Sequence, residues 1–156
     1  MLPKWHILLG FIFSFILFLF LPTIQLLGFF TIFLSSFLID IDHYLYYFKR
    51  KRDLNLGRAF KWFLELEQVY NSIPREKLKD YYLPMCIFHS IEVFLILLVL
   101  GFYNQLFLYI LIGFAFHRFL DDSWALYRGT EHHIYSFIYS YIKNKKKKPL
   151  EDAKFK

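Results

Sequence analysis

Long runs of apolar side chains, separated by short polar breaks, dominate the chain as far as residue 120. They cover residues 5–21, 24–39, 82–100 and 106–120. A helix needs about 20 residues to cross the hydrocarbon core of a bilayer, with about 17 as the lower limit. The pattern therefore predicts four membrane spans, of which the second and fourth suit a thin bilayer or are partly re-entrant.

Two further segments show the helical period of an amphipathic surface helix. In residues 56–70 the apolar side chains fall near one face, and residues 131–142 are aromatic on one side, with Thr130 as a candidate N-cap. Such helices lie in the membrane interface. The predicted fold is therefore all-α: an integral membrane four-helix bundle with interfacial amphipathic helices. Residues 1–143 would form a single membrane domain, followed by a basic disordered tail over 144–156.

Composition supports the membrane class, because 57% hydrophobic and 23% aromatic residues are too apolar for a soluble domain of 156 residues. The first run is too long, and too closely followed by the second, for a cleaved signal peptide, so we expect it to be retained. The single cysteine, Cys86, excludes an internal disulfide and any multi-cysteine metal site.

Lysine and arginine predict the orientation. They concentrate between the second and third runs and again after residue 142, whereas the other two connections have none. The positive-inside rule then places both termini and the long loop in the cytoplasm, as expected for a multi-pass protein of the cell inner membrane. The net charge of +6 favours anionic lipid headgroups as partners and not nucleic acid.

Ionisable side chains lie in or at the ends of the apolar runs, where they are costly and hence functional candidates. They are His6, Asp40, Asp42, His43, His89, Glu92, His117 and Asp121. Each lies on or near the cytoplasmic end of its predicted helix, so we expect them at one level of the bilayer. These residue types bind divalent metals.

The spacing of these groups supports one shared cavity. Residues three or four apart share a helix face, which pairs Asp40 with His43, His89 with Glu92, and His117 with Asp121. The predicted metal ligands are His6, Asp40, His43, His89, His117 and Asp121. Asp42 and Glu92 are the candidate catalytic proton acceptors, with no choice between them, and an additional ligand from His132 or His133 stays open.

Small residues lie one turn deeper than three of these groups: Gly10, Ser36 and Gly113. Small side chains let membrane helices approach closely, so the three faces are expected to meet. Alternatives remain for each ionisable group. The acidic and imidazole groups near residue 40 also fit a solvated helix end, and His117 with Asp121 also fits an interfacial pair.

The order of these motifs resembles the YdjM-type family of predicted inner-membrane metal-dependent hydrolases, which is distantly similar to zinc-dependent phospholipase C. The matching residues are His6 with Gly10, the run Asp40-Ile41-Asp42-His43, His89-Ser90, and His117 with Asp121. The resemblance covers roughly residues 6–122. The sequence departs from the family pattern just before His89, where residues 84–88 replace the family's basic residue and hydroxyl. The resemblance implies hydrolysis of a phosphoester.

These observations predict a membrane-bound hydrolase with one or two divalent ions, most readily zinc given the share of histidine. Because the site lies at headgroup depth, the expected substrate is a phosphoester or other ester of a membrane lipid at the cytoplasmic face. Two alternatives stay open. One is a non-catalytic protein with a structural or sensing metal site, and the other is a metal or proton transporter, although the outer half of the spans has no ionisable group to form a pathway.

Overall fold

The computed structural model describes residues 3–82, 86–128 and 136–153, and most of these are helical, as the sequence predicts. The helices, in chain order, are α1 Pro3–Phe20, α2 Leu26–Leu38, α3 Ile41–Lys51, α4 Leu56–Ser72, α5 Arg75–Leu78, α6 Ile91–Gly101, α7 Gln105–Tyr127 and α8 Phe137–Asn144. Two short strands, β1 Tyr81–Tyr82 and β2 Lys148–Pro149, and a 3-10 turn at Leu150–Asp152 complete the described elements.

The chain divides into two compact units, where the sequence predicts a single membrane domain. The first unit comprises Met1–Asp40 and Phe88–Tyr135, and the second comprises Ile41–Ile87 and Ser136–Lys156. The first unit thus contains α1, α2, α6 and α7, and the second contains the remaining elements.

In the first unit α2 packs against both α1 and α7, and α6 packs against α7. Two glycines allow this close approach. A Cβ added to Gly10 on α1 would overlap Ser36 on α2, and one added to Gly113 on α7 would lie 2.6 Å from the backbone oxygen of Ile32. The small residues singled out in the sequence therefore lie at the helix contacts, where packing of backbone on backbone holds membrane helices together.

The first unit buries polar and small residues beside apolar ones, and it exposes many large apolar side chains. On α1 the buried residues are His6, Gly10 and Ser14, whereas Phe11 and Phe15 on the same helix are exposed. So many exposed apolar side chains on one unit are unusual for a water-soluble bundle. By length and composition, two stretches could cross a membrane: Pro3–Phe20, and Leu26–Lys51, which covers α2, α3 and the turn that joins them.

The second unit is built around an apolar core that the amphipathic helix α4 supplies in part. Asn55 caps α4 by accepting a hydrogen bond from the Arg58 amide at 2.9 Å. Leu66 and Ile73 then pack with Leu150 from the 3-10 turn. Strands β1 and β2 pair in parallel, Tyr81 opposite Lys148, and an ion pair joins Arg50 to Glu151.

Several predicted boundaries are wrong. The third apolar run is helical only in α6, because Ser90 has the extended backbone of an N-cap position and residues 81–82 form a strand. The fourth run continues seven residues beyond residue 120, to the end of α7. Apolar content alone does not distinguish a buried loop or strand from a helix. It also does not predict where a helix ends when its last residues are polar.

The C-terminal predictions also change. The helix predicted over 131–142 is described only as α8, with Ser136 and not Thr130 as its N-cap; residues 129–135 lie outside the described residues. The tail is not disordered over 148–152, because β2 pairs with β1 and the side chain of Leu150 is buried in the apolar core.

Candidate metal centre

Five of the predicted ligand side chains come together at one end of the first unit. They are His6 on α1, Asp40 in the turn after α2, His89 just before α6, and His117 and Asp121 on α7. The groups His6, Asp40, His117 and His89, His117, Asp121 each have ligand atoms within 4.8 Å of one another. Histidine and aspartate at such separations are placed to hold a metal ion.

Three of these side chains form a nearly equilateral triangle of ligand atoms. The Nε2 atoms of His89 and His117 are 3.4 Å apart, and Oδ1 of Asp40 lies 3.4 Å from the first and 3.5 Å from the second. An ion bound tetrahedrally at about 2.0–2.2 Å keeps its ligands about 3.3–3.6 Å apart. The triangle therefore has the dimensions of one face of a tetrahedral zinc-type site.

A hydrogen bond within the bundle fixes the orientation of His117. Its Nδ1 lies 2.8 Å from the backbone oxygen of Ser36, which only accepts hydrogen bonds, so Nδ1 carries the proton and donates it. In the neutral ring the lone pair is then on Nε2, the atom that faces His89 and the two carboxylates. Metal-ligating histidines are usually held in this way by a backbone carbonyl or a carboxylate.

The carboxylate of Asp121 joins His6 to His117. Its Oδ1 lies 3.1 Å from Nε2 of His6, and its Oδ2 lies 3.1 Å from Nε2 of His117. The two imidazole rings are stacked, with their centroids 3.9 Å apart. Nδ1 of His6 is buried and has no hydrogen-bond partner among the described residues. The first helix thus contributes a histidine to the centre while leaving one ring nitrogen unused.

Burial differs between the histidines and the carboxylates. The side chains of His6 and His117 are 1% and 0% exposed, and that of His89 is 8% exposed, whereas Asp40 and Asp121 are each 28% exposed. The imidazoles therefore form the inner wall of the centre, and the carboxylates lie where solvent or a ligand can approach. When ionised, the two carboxylates supply two negative charges, which balance a divalent cation.

Asp40 and His43 do not share a helix face, and this prediction is wrong. The helix is interrupted at Ile39 and Asp40, so Asp40 belongs to the turn while His43 lies in the first turn of α3. Asp42 and His43 belong to the second unit, where their ligand atoms group with Sγ of Cys86. The sequence missed Cys86 as a candidate ligand, since a lone cysteine carries no spacing signal.

The predicted pairing of His89 with Glu92 on one helical turn is also wrong. His89 precedes the N-cap Ser90, and Glu92 is the second residue of α6. Glu92 is half-buried and is not a member of either group of candidate ligands among the described residues. By contrast, His117 and Asp121 lie four residues apart on a continuous α7, and their contact confirms the predicted pair.

The Ser36 carbonyl is a further part of the centre that sequence reasoning did not identify, because a backbone group leaves no signature in the side-chain pattern. His132 and His133 lie outside the described residues. The helices and the centre define a helical protein with a candidate histidine–aspartate metal site. No family model, curated protein or solved structure matches this chain.

Proposed function

We propose that this protein is a membrane-bound metal-dependent hydrolase that acts on a phosphoester or ester of a lipid at the cytoplasmic face of the inner membrane. The observation that carries the proposal is the triangle formed by Asp40, His89 and His117, with its two buried histidines and one accessible carboxylate. Hydrolytic metal sites combine three protein ligands with a position left open for water.

The number of ions follows from the chemistry of His117. Both groups of candidate ligands in the first unit include this residue, and its Nδ1 is occupied by the Ser36 carbonyl. The remaining Nε2 has one lone pair and binds one ion. We therefore propose a single ion at this centre, zinc being the best fit to a set of three histidines and two aspartates.

The proposed chemistry divides between the metal and the protein. A bound zinc ion would lower the pKa of water to about 7 and polarise the scissile bond. Asp40, His89 and His117 would hold it, and Asp121 would orient His6. A carboxylate outside this set is needed to accept the proton of the attacking water, and Glu92, half-buried in the first unit, is the candidate within that unit.

The apolar exterior of the first unit supports a membrane location. Its helices bury His6, Ser14 and Ser36 and expose phenylalanine, leucine and isoleucine. Lipid tails accept such an apolar exterior, and water does not. With the lysine-rich segments on the cytoplasmic side, the centre would lie at the depth of lipid headgroups, which favours a lipid ester over a soluble substrate.

The experiment is hydrolysis of mixed lipid micelles by purified protein of measured zinc content. We expect headgroup or phosphate release by the zinc-loaded wild type and none above background after chelation. Glu92→Gln, which removes the proton acceptor, should retain the ion and lose about 10²-fold or more in turnover. A matched carboxylate control is Asp122→Asn, since Asp122 pairs with Arg118 on the same helix.

A structural or sensing site is the second candidate, favoured by the deep burial of all three histidines. It predicts zinc-dependent thermal stability without turnover. If zinc raises the unfolding temperature of the wild type but the loaded protein hydrolyses no lipid ester or phosphoester, the enzyme proposal is rejected and the structural one is kept.

A further inference from the structure

Three further candidate ligand side chains lie in the second unit: Asp42, His43 and Cys86. Asp42 and His43 lie in the first turn of α3, and Cys86 follows β1 along the chain. A carboxylate oxygen, an imidazole nitrogen and the thiol sulfur of these residues lie within 4.8 Å of one another. Each side chain belongs to a type that binds transition metals.

The sulfur–nitrogen distances suit a shared ion. Sγ of Cys86 lies 2.8 Å from Nδ1 of His43 and 3.7 Å from its Nε2. An ion with bonds of about 2.3 Å to sulfur and about 2.0–2.1 Å to nitrogen would separate the two ligand atoms by about 3.5 Å at tetrahedral angles. The observed distances lie on either side of this value, so a small rotation of the imidazole is sufficient to bring either nitrogen into position.

The surroundings hold the three groups in place. The ring of Phe63, on α4, meets the imidazole of His43 edge to face, with centroids 5.3 Å apart. Asp42 is buried, at 7% exposure. A divalent ion bound to the thiolate and the carboxylate would balance the negative charges of both.

We propose that Asp42, His43 and Cys86 form a second metal site, which holds a zinc-class ion through oxygen, nitrogen and sulfur ligands. The thiolate distinguishes this site from the first. Soft sulfur ligands select zinc and its neighbours over magnesium, calcium and manganese, which prefer oxygen. The second unit would therefore bind a thiophilic ion independently of the proposed lipid hydrolysis, and His43 would serve this site and not the centre that contains His117.

Cobalt(II) tests the proposal directly, because Cys86 is the only cysteine in the chain. A bond between cobalt and a thiolate gives a charge-transfer absorption in the near ultraviolet that nitrogen and oxygen ligands do not give. We expect this band in metal-free wild type titrated with cobalt, saturating at one equivalent of a total of two. Cys86→Ser should lose the band and one equivalent of cobalt, and His43→Ala should weaken cobalt binding at this site at least about 10-fold.

The control variants act on the other centre. Asp121→Asn should weaken binding of the ion in the first unit, His117→Ala should abolish it, and both should retain the near-ultraviolet band. Two variants are used because His117 is fully buried and its truncation can prevent folding. The proposal is overturned if saturated wild type shows no thiolate band, or if the band disappears in folded Asp121→Asn. Absence of lipid hydrolysis would leave the band unaffected, so failure of this proposal and failure of the enzymatic one are distinguishable.

Discussion

The two units of the molecule differ in the polar side chains that they bury beside their apolar cores. On α1, in the first unit, His6, Gly10 and Ser14 point inward, whereas the core of the second unit is formed by leucine and isoleucine from α4 and the C-terminal turn. In water, burial of apolar surface drives packing. In lipid that drive is absent, and close approach of small residues and polar contacts replace it. The cluster of three histidines, His6, His89 and His117, lies in the first unit.

If this contrast reflects two solvents, the two regions differ in accessibility. In a Cys86→Ser background, Tyr103→Cys and Lys61→Cys each introduce one thiol at an exposed position. With the lysine-rich loop in the cytoplasm, a membrane-impermeant maleimide added to intact cells should label only position 103. Position 61 should react after permeabilisation. Labelling of both positions from the same side would contradict the proposed topology.

The centre in the first unit provides the next largest effect. Asp121 contacts both His6 and His117, so Asp121→Asn should lower zinc affinity about 10- to 100-fold, as measured by competition with a chelator. Its neighbour Asp122 forms a paired ion contact with Arg118 at 3.0 Å. Asp122→Asn should therefore retain zinc affinity within about threefold of the wild type. Equal losses in the two variants would show that charge near the end of α7, and not ligation, controls metal binding.

Much of this centre was predictable because ionisable side chains within apolar runs are energetically costly, and the sequence shows where they lie. A histidine or aspartate within an apolar run needs a partner, and the depth of each group in its run predicts which of them share a level. The structure brings His6, Asp40, His89, His117 and Asp121 together. Gly10, Ser36 and Gly113 lie at the helix contacts for the related reason that larger side chains would hold the helices apart.

The remaining features depend on where helices stop, which apolar content does not specify. The break at Ile39 and Asp40 separates Asp40 from His43, although the two are only three residues apart. Likewise the extended backbone at Ser90 places His89 outside α6. Pairing of β1 with β2 joins segments far apart in the chain, and Cys86 acquires neighbours only through such tertiary contacts.

Replacing a glycine by alanine adds one methyl group and tests how tightly the helices of each unit pack. At Gly113 an added Cβ would lie 2.6 Å from the Ile32 oxygen, and backbone cannot move aside cheaply. Gly113→Ala should therefore lower the free energy of unfolding in detergent by about 1–3 kcal/mol. At Gly57, on α4, the nearest atom is Oδ1 of Asn55 at 3.3 Å, so Gly57→Ala should change stability by about 1 kcal/mol or less.

The packing defect caused by Gly113→Ala should also weaken zinc binding. Gly113 lies one turn before His117, and displacement of α7 from α2 would lengthen the hydrogen bond from His117 to the Ser36 carbonyl. We therefore expect weaker zinc binding in Gly113→Ala and unchanged binding in Gly57→Ala. An alanine at 113 with wild-type stability and wild-type zinc affinity would contradict the tight α2–α7 contact.

The smallest expected effect lies in the second unit, at Asp53 between α3 and α4. Its carboxylate accepts hydrogen bonds from the Arg58 guanidinium at 2.6 and 2.7 Å and from the Tyr47 hydroxyl at 2.6 Å. These contacts, the guanidinium first, hold the pKa of Asp53 well below its usual value. A carboxylate with a lowered folded-state pKa stabilises the fold above its unfolded pKa of about 4, and this stabilisation is lost as pH falls further.

Amide hydrogen exchange at Asn55 and Arg58, compared at about pH 6 and pH 3 after correction for intrinsic rates, measures this effect. The wild type should lose protection at the lower pH, because protonation of Asp53 removes the ion pair. Asp53→Asn should show weaker protection that changes little over the same interval. Since the Arg58 side chain is largely exposed, added salt should reduce the difference between the two proteins. Equal pH dependence in both would assign the loss to another group.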